Sequence, residues 1–222
     1  MRASAVIADM AGTTVEDGGL VLGAFASVLD DMGIPEGHRE RERSVSFVIE
    51  TMGQSKIEVF TELFGAEAAE SANQMFERAY EDRLAIDGAR PIPGVPWLLE
   101  ELPRRGVRVA LTTGFSPSTR DALLAALGWL DLISVAVSPA DAGRGRPHPD
   151  MIIEAARRLG IDDLSGVVVA GDTASDMAAG AASGAGMIVG VLTGTDDAER
   201  LSSAGATHVL ASLTALPGLL DV

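Results

Sequence analysis

An alternation of short apolar runs with amphipathic segments constrains the fold of this chain most strongly. The runs end at turn-forming or polar residues and cover 5–8, 107–111, 133–137, 167–170, 187–192 and 208–210. Runs of this kind are typical of strands buried on both faces of a parallel sheet. The segments between several of them have helical periodicity and stop at Gly106, Gly128 and Gly160. The pattern predicts an α/β fold with a doubly wound (Rossmann-like), mostly parallel sheet.

Residues 14–93 interrupt this alternation, because no convincing strand pattern occurs there. Four helices are expected instead, with apolar residues within 21–32, 45–49, 57–64 and 72–83. Gly33 suits the end of the first helix, and Pro35 suits the first turn of the second. The chain is therefore predicted to divide into an α/β core of residues 1–15 and 94–222 and an inserted all-helical cap of residues 16–93.

Composition excludes several classes of function. The formal net charge is −15 and aromatic residues make up 4% of the chain, which argues against nucleic-acid binding. The same charge disfavours an anionic membrane surface, and the apolar runs are too short to span a bilayer. The chain has no cysteine, so disulfides, zinc–thiolate sites and cysteine nucleophiles are excluded. The N-terminal residues lack a signal-peptide pattern, and we expect a cytoplasmic protein.

Chemically competent side chains follow the ends of successive predicted strands. Asp9, Thr113, Arg146, Asp172 and Asp176 come at these points. Ligands of open α/β sheets bind beyond the carboxyl ends of the strands. A carboxylate there can accept a phosphoryl group, further carboxylates can hold an ion such as Mg²⁺, and a hydroxyl and a guanidinium can bind phosphoryl oxygens.

Each of these residues also has an ordinary structural interpretation. Asp172 and Asp176 are suited to cap the helix that contains Met177, and an isolated Arg146 would be solvated. The coincidence of all of them at successive strand ends favours a shared site.

The sequence resembles the haloacid-dehalogenase-like hydrolase superfamily along nearly its whole length. The first motif, Asp9-Met10-Ala11-Gly12-Thr13-Thr14, has Ala11 where most phosphatases of the superfamily have a second Asp. Met52-Gly53-Gln54-Ser55-Lys56 in the cap and Gly145-Arg146-Pro147 in the core narrow the resemblance to the phosphonatase (phosphonoacetaldehyde hydrolase)-like hydrolases.

This resemblance implies a Mg²⁺-dependent hydrolase that cleaves the C–P bond of a carbonyl-bearing phosphonate. The reaction would use a lysine Schiff base and an aspartyl-phosphate intermediate. The implied catalytic residues are Asp9 as nucleophile, Lys56 as the Schiff-base amine, Thr113 and Arg146. The implied metal ligands are Asp9, the backbone oxygen of Ala11, Asp172 and Asp176. The implied substrate-binding residues are Ala11, Gly12, Met52, Gly53, Gly114 and Phe115.

The exchange of an acid for an amine is chemically coherent. In most phosphatases of the superfamily, the Asp at the position of Ala11 would protonate the oxygen of the leaving group. A carbon leaving group has no such oxygen, but it needs the electron sink that a lysine imine supplies. Lys56 is expected in the first turn of a helix, where the helix dipole lowers the pKa of an amine. This chain differs from phosphonatase at three aligned positions. Val59 stands where phosphonatase has a His, Gly19 where it has a Cys, and Phe115 where it has a Tyr.

Two other functions stay open. One is a phosphatase that acts on a small phosphate ester through the same aspartyl-phosphate intermediate. The other is a non-catalytic binding relative, which the intact set of strand-end residues disfavours. The expected partner is a small-molecule phosphonate or phosphate, and the apolar first cap helix is a candidate surface for a homodimer.

Overall fold

In residues 2–220, which the computed structural model describes, six strands form one fully parallel sheet. They are β1 (Ala5–Asp9), β2 (Arg108–Thr112), β3 (Ala136–Val137), β4 (Val167–Gly171), β5 (Met187–Val191) and β6 (His208–Leu210). Their spatial order is β3-β2-β1-β4-β5-β6. The predicted α/β class is confirmed, and each of the six predicted runs contributes a strand to the sheet.

Ten α-helices occur among the same residues. They are α1 (Leu20–Asp31), α2 (Arg41–Glu50), α3 (Lys56–Phe64), α4 (Ala66–Asp87), α5 (Val95–Arg104), α6 (Pro117–Leu127), α7 (Pro139–Ala142), α8 (Asp150–Arg158), α9 (Ala174–Ser183) and α10 (Ala198–Ser203). Short 3₁₀ turns cover Leu164–Gly166 and Leu213–Leu219.

The sheet is covered on both faces, as the side-chain alternation of β1 shows. Val6 and Ala8 belong to the apolar cluster that includes Leu98 of α5. Ala5 and Ile7 belong to a second cluster, which includes residues of α8 and α9. Since successive side chains of a strand point to opposite faces, helices pack on both sides of this strand.

Helices α1–α4, which we name the helical insertion, lie between β1 and β2. Phe25, Phe60 and Phe76 form its centre, with ring centroids 4.8–5.9 Å apart. Aromatic groups at this spacing bury much apolar area, and these rings belong to the same apolar cluster as Val6 and Ala8 of the sheet. The insertion predicted after the first strand is thereby confirmed.

The chain enters and leaves the helical insertion at neighbouring points. Val15 bridges Pro91, and the Glu16 amide donates to the Arg90 carbonyl oxygen at 2.9 Å. The domain boundaries at 15/16 and 93/94 stay predictions. Residues 1 and 221–222 of the predicted core lie outside the described residues.

Two local expectations were wrong. The second helix begins at Arg41, because residues 35–40 form turns around Gly37, whose φ of +83° is unfavourable for a helix. The run 133–137 contributes only Ala136–Val137 to the sheet. This strand lies at the sheet edge with β2 as its partner, and the Ala136 carbonyl oxygen accepts from Arg120 Nη1 at 3.2 Å.

Among the helices that the structure describes, none has the length and apolar character needed to cross a membrane. The cytoplasmic location and the homodimer through the first cap helix stay predictions.

Candidate active site

One cleft of about 410 Å³ brings the predicted site residues together. Its lining combines the carboxyl ends of the strands with residues of the helical insertion. The predicted residues that line it are Asp9, Ala11, Gly12, Met52, Gly53, Lys56, Thr113, Gly114, Phe115, Arg146 and Asp172. The remaining one, Asp176, is buried and contacts Arg146.

The loop after β1 places the Asp9 carboxylate in this cleft. Three successive amides, from Thr13 to Val15, donate to the Met10 carbonyl oxygen, so the chain turns tightly directly after the strand. Gly12 has a φ of +87°, and a Cβ atom there would lie 2.5 Å from Asp172 Oδ2. Only glycine allows the backbone to pass this close to the second carboxylate.

Arg146 contacts the carboxylates of both Asp9 and Asp176. Its Nη1 donates to Asp9 Oδ1 at 2.5 Å and also contacts Asp176 Oδ1. The side chain is buried, and among the described residues its Nε has no hydrogen-bond partner. Burial raises the pKa of Asp9 to about 6, with the charge of Arg146 acting in the opposite direction. Arg146 therefore holds the Asp9 carboxylate in place and keeps a donor unused.

Asp172 is fixed by hydrogen bonds from two loops. Thr13 Oγ1 donates to its Oδ1 at 3.0 Å, and the Thr195 amide donates to its Oδ2 at 2.9 Å. Burial, with the charges of Asp9 and Asp176, raises the pKa of Asp172 well above its usual range. Among the described residues, the Arg146 guanidinium forms ion pairs only with Asp9 and Asp176, so the three buried carboxylates together carry an excess of negative charge.

These three carboxylates have the composition of a site for a hard cation. One oxygen atom from each of Asp9, Asp172 and Asp176 lies within 4.8 Å of the others. An all-oxygen donor set with excess negative charge suits Mg²⁺ better than softer metals. Asp176 also caps α9, since its Oδ2 accepts from the Thr173 amide at 3.1 Å. The capping interpretation of Asp176 is correct, and its role as a metal ligand stays a prediction.

Lys56 is the first residue of α3 and, by the sequence, the only lysine of the chain. Its side chain is 6% exposed, and its Nζ lies 5.6–6.0 Å from the ring centroids of Phe25, Phe76 and Phe115. Burial and then the charge of Arg146 lower the pKa of Lys56 to about 8. The direction agrees with the expectation from sequence, but burial rather than the helix dipole is the main cause.

Thr113 follows β2 next to the first-strand aspartate. The register pairs Asp9 with Thr112, and the Thr113 amide donates to the Val137 carbonyl oxygen at 3.1 Å. The Thr113 hydroxyl oxygen accepts from the Phe115 amide at 3.3 Å. Within residues 2–220 its own proton has no acceptor, so the hydroxyl can donate to a ligand in the cleft.

Two parts of the site were not predicted from the sequence. They are the loop after β5 and the rings of Phe25 and Phe76 near Lys56 Nζ. Thr193 Oγ1 donates to the Gly12 carbonyl oxygen at 2.7 Å, next to the Thr195 bond to Asp172. This loop also follows a strand end, so the rule that found the other residues points to it too. Phe25 and Phe76 were assigned only to the apolar faces of helices, because helical periodicity does not show which distant residue a face will cover.

The topology and the strand-end aspartates agree with a known family, whose model matches residues 3–184. The chain belongs to the haloacid dehalogenase-like hydrolases. The predicted family is confirmed, and this haloacid dehalogenase-like hydrolase is an enzyme. It is 30% identical over 211 residues to the phosphonoacetaldehyde hydrolase of Bacillus cereus (strain AH820), a match that covers 89% of this chain and 78% of the relative.

Solved structures agree with the assignment. A hydrolase from Pseudomonas syringae superposes with a TM-score of 0.84 at 27% identity, over 97% of each chain. A phosphonoacetaldehyde hydrolase-like protein from Oleispira antarctica has the same fold, with a TM-score of 0.84 at 24% identity over 99% of this chain and 91% of that one.

Proposed function

We propose that this hydrolase cleaves the C–P bond of a carbonyl-bearing phosphonate such as phosphonoacetaldehyde. The observation that carries the proposal is the position of Lys56. The only lysine of the chain is buried, has a lowered pKa and lines the same cleft as Asp9. Burying an amine is costly, and a buried amine in a cleft with a carboxylate nucleophile is suited to covalent chemistry with a carbonyl group.

The carbonyl half of the reaction belongs to Lys56. The neutral amine attacks the carbonyl carbon, loss of water from the resulting carbinolamine gives an imine, and a proton taken up from solvent converts it into the iminium ion. At neutral pH a pKa of about 8 leaves on the order of a tenth of the amine neutral, far more than at an ordinary lysine. The rings of Phe25, Phe76 and Phe115 exclude water around the nitrogen.

The phosphoryl half belongs to the core residues. An Asp9 oxygen attacks phosphorus, the C–P bond breaks, and its electron pair moves into the iminium system to give an enamine. Arg146 and Thr113 would bind the phosphonate oxygens, using the unpaired Nε and the free hydroxyl proton. Water then hydrolyses the aspartyl phosphate to inorganic phosphate, and protonation and hydrolysis of the enamine release the aldehyde and restore Lys56.

Asp9, Asp172, Asp176 and the Ala11 carbonyl oxygen would hold a Mg²⁺ ion. When bound, the ion supplies positive charge that offsets the repulsion between a carboxylate and a phosphonate. The hydrogen bonds from Thr13 and Thr195 hold Asp172 in a fixed orientation for this role. Ala11 supplies no acid, in agreement with a carbon leaving group.

A phosphatase acting on a small phosphate ester is the second candidate. The observation in its favour is that Val59 and Phe115 stand near Lys56 where phosphonatase has polar groups. The phosphoryl half of the site does not depend on Lys56, so ester hydrolysis would survive its loss.

Release of inorganic phosphate from phosphonoacetaldehyde and from a panel of phosphate esters separates the two functions. Lys56→Met removes the amine, and Lys56→Arg retains the charge without imine chemistry. We expect both variants to lose phosphonate cleavage, with Asp9→Asn as a control that loses every turnover. Ester hydrolysis by wild type that exceeds phosphonate cleavage and persists in both lysine variants would contradict the proposal.

A further inference from the structure

The loop that precedes α3 passes unusually close to the core. This loop, residues 53–55, leads directly into Lys56 and contacts the core segments that follow β2, β3 and β4. A Cβ atom at Gly53 would lie 2.5 Å from Thr173 Oγ1, and one at Gly114 would lie 2.5 Å from the Gln54 carbonyl oxygen. Real Cβ atoms do not approach so closely, so this contact between the loop and the core depends on glycine at both positions.

Gly145 of the core lies against Ser55, the third residue of this loop. A Cβ atom there would lie 2.8 Å from Ser55 Cβ and 3.2 Å from the Ser55 backbone nitrogen. Its φ lies outside the left-handed region, so its backbone conformation is open to any residue. Glycine is therefore needed at position 145 because a side chain there would collide with Ser55, and not because the backbone has an unusual conformation. Ser55 is buried and precedes Lys56, which fixes where α3 begins.

We infer that Gly145 is a positioning residue for Lys56. The missing side chain leaves room for Ser55, and through Ser55 the contact sets the amine over the phosphoryl site. Two neighbouring residues of the core contact the two halves of the site. Gly145 packs against the loop that leads into Lys56, and Arg146 donates a hydrogen bond to Asp9. The inference concerns the placement of the amine in the proposed function, and its primary test does not depend on the substrate.

The test measures how readily a bulky amine reagent reaches Lys56. Trinitrobenzenesulfonate would be applied to the intact protein, and modification of Lys56 would be followed by peptide mass spectrometry. With one lysine in the chain, the signal has a single side-chain source. Gly145→Ala should hold the loop away from the core and raise the labelling rate about tenfold or more, because an added methyl group at a close-packed contact displaces its neighbours.

A compensating variant makes the result specific. Ser55→Gly removes the closest contact, so Gly145→Ala/Ser55→Gly should return labelling to within about twofold of wild type. The cost at the helix start is small, since the Ser55 side chain makes no capping hydrogen bond. Gly218→Ala is the matched control, because nothing lies within 4 Å of a Cβ atom there. Thermal melting of each variant checks that it is folded.

Unchanged labelling of folded Gly145→Ala, or failure of Ser55→Gly to restore protection, would overturn the inference. If Gly145→Ala does not fold, Ser55→Val introduces bulk from the other side and should raise labelling in the same way. Phosphonate cleavage is assayed in parallel. The expected labelling pattern without any phosphonate cleavage would refute the proposed function and leave the positioning role intact.

Discussion

Replacing Lys56 with methionine should stabilise this enzyme while abolishing its proposed chemistry. Burial lowers the pKa of Lys56 from 10.5 to about 8, so the folded state disfavours the charged amine. One pKa unit corresponds to about 1.4 kcal/mol, and the difference corresponds to about 3 kcal/mol at neutral pH. Methionine fills a similar volume without a charge, so Lys56→Met should recover up to this amount. The three rings near Nζ favour the ammonium and reduce the gain.

The pH dependence of the stability difference identifies its cause. Between pH 8 and 10.5 the unfolded chain binds more protons at Lys56 than the folded one, so wild-type stability rises with pH relative to Lys56→Met. Below pH 8 the destabilisation by the charged amine is fully present. The advantage of Lys56→Met should therefore be largest near pH 7 and shrink toward pH 10.

Urea unfolding of wild type, Lys56→Met and Lys56→Arg at pH 7 and pH 9.5 measures this difference. Lys56→Arg keeps a buried charge and should show no gain. A Lys56→Met protein that is no more stable than wild type at pH 7, or whose advantage does not depend on pH, would show that the buried ammonium does not destabilise the fold.

Three further outcomes follow from the carboxylate cluster. Asp9→Asn should lower turnover about a thousandfold or more with the fold retained, as measured by phosphate release and circular dichroism, and substantial residual turnover would remove Asp9 as the nucleophile. Chelation of divalent cations should stop phosphate release and added Mg²⁺ should restore it, whereas full activity in excess chelator would exclude the metal role. Gly12→Ala should cost roughly 1–3 kcal/mol of stability, because its Cβ atom would meet the Asp172 carboxylate and its φ is left-handed. A denaturation midpoint equal to that of Gly218→Ala would contradict this estimate.

The sheet could be predicted because local patterns determine it. Strands buried on both faces leave continuous apolar runs, and parallel strands place their carboxyl ends at one edge, so the sequence alone predicts that Asp9, Thr113 and Asp172 lie together. The edge strand was predicted too long, because whether residues 133 and 134 pair with β2 depends on the tertiary position of the segment and not on its own sequence. Pro35 similarly predicted a helix start that the conformation of Gly37 prevents.

The surroundings of Lys56 could not be read from local sequence. Phe25, Phe76 and Phe115 come from three separate segments, and only tertiary packing brings them around one nitrogen. The expected position of Lys56 in the first turn of a helix predicts the correct direction of its pKa shift but the wrong main cause, since burial depends on that packing. The contact of Gly145 with Ser55 is equally non-local, as the two residues lie in different halves of the fold.

Reductive trapping shows whether Lys56 forms a Schiff base with the substrate. Wild-type enzyme would be treated with phosphonoacetaldehyde and borohydride, and its peptides mapped by mass spectrometry. We predict a covalent adduct on Lys56, the only lysine, and no such adduct in Lys56→Arg. An unmodified Lys56 in enzyme that still releases phosphate from the phosphonate would contradict it.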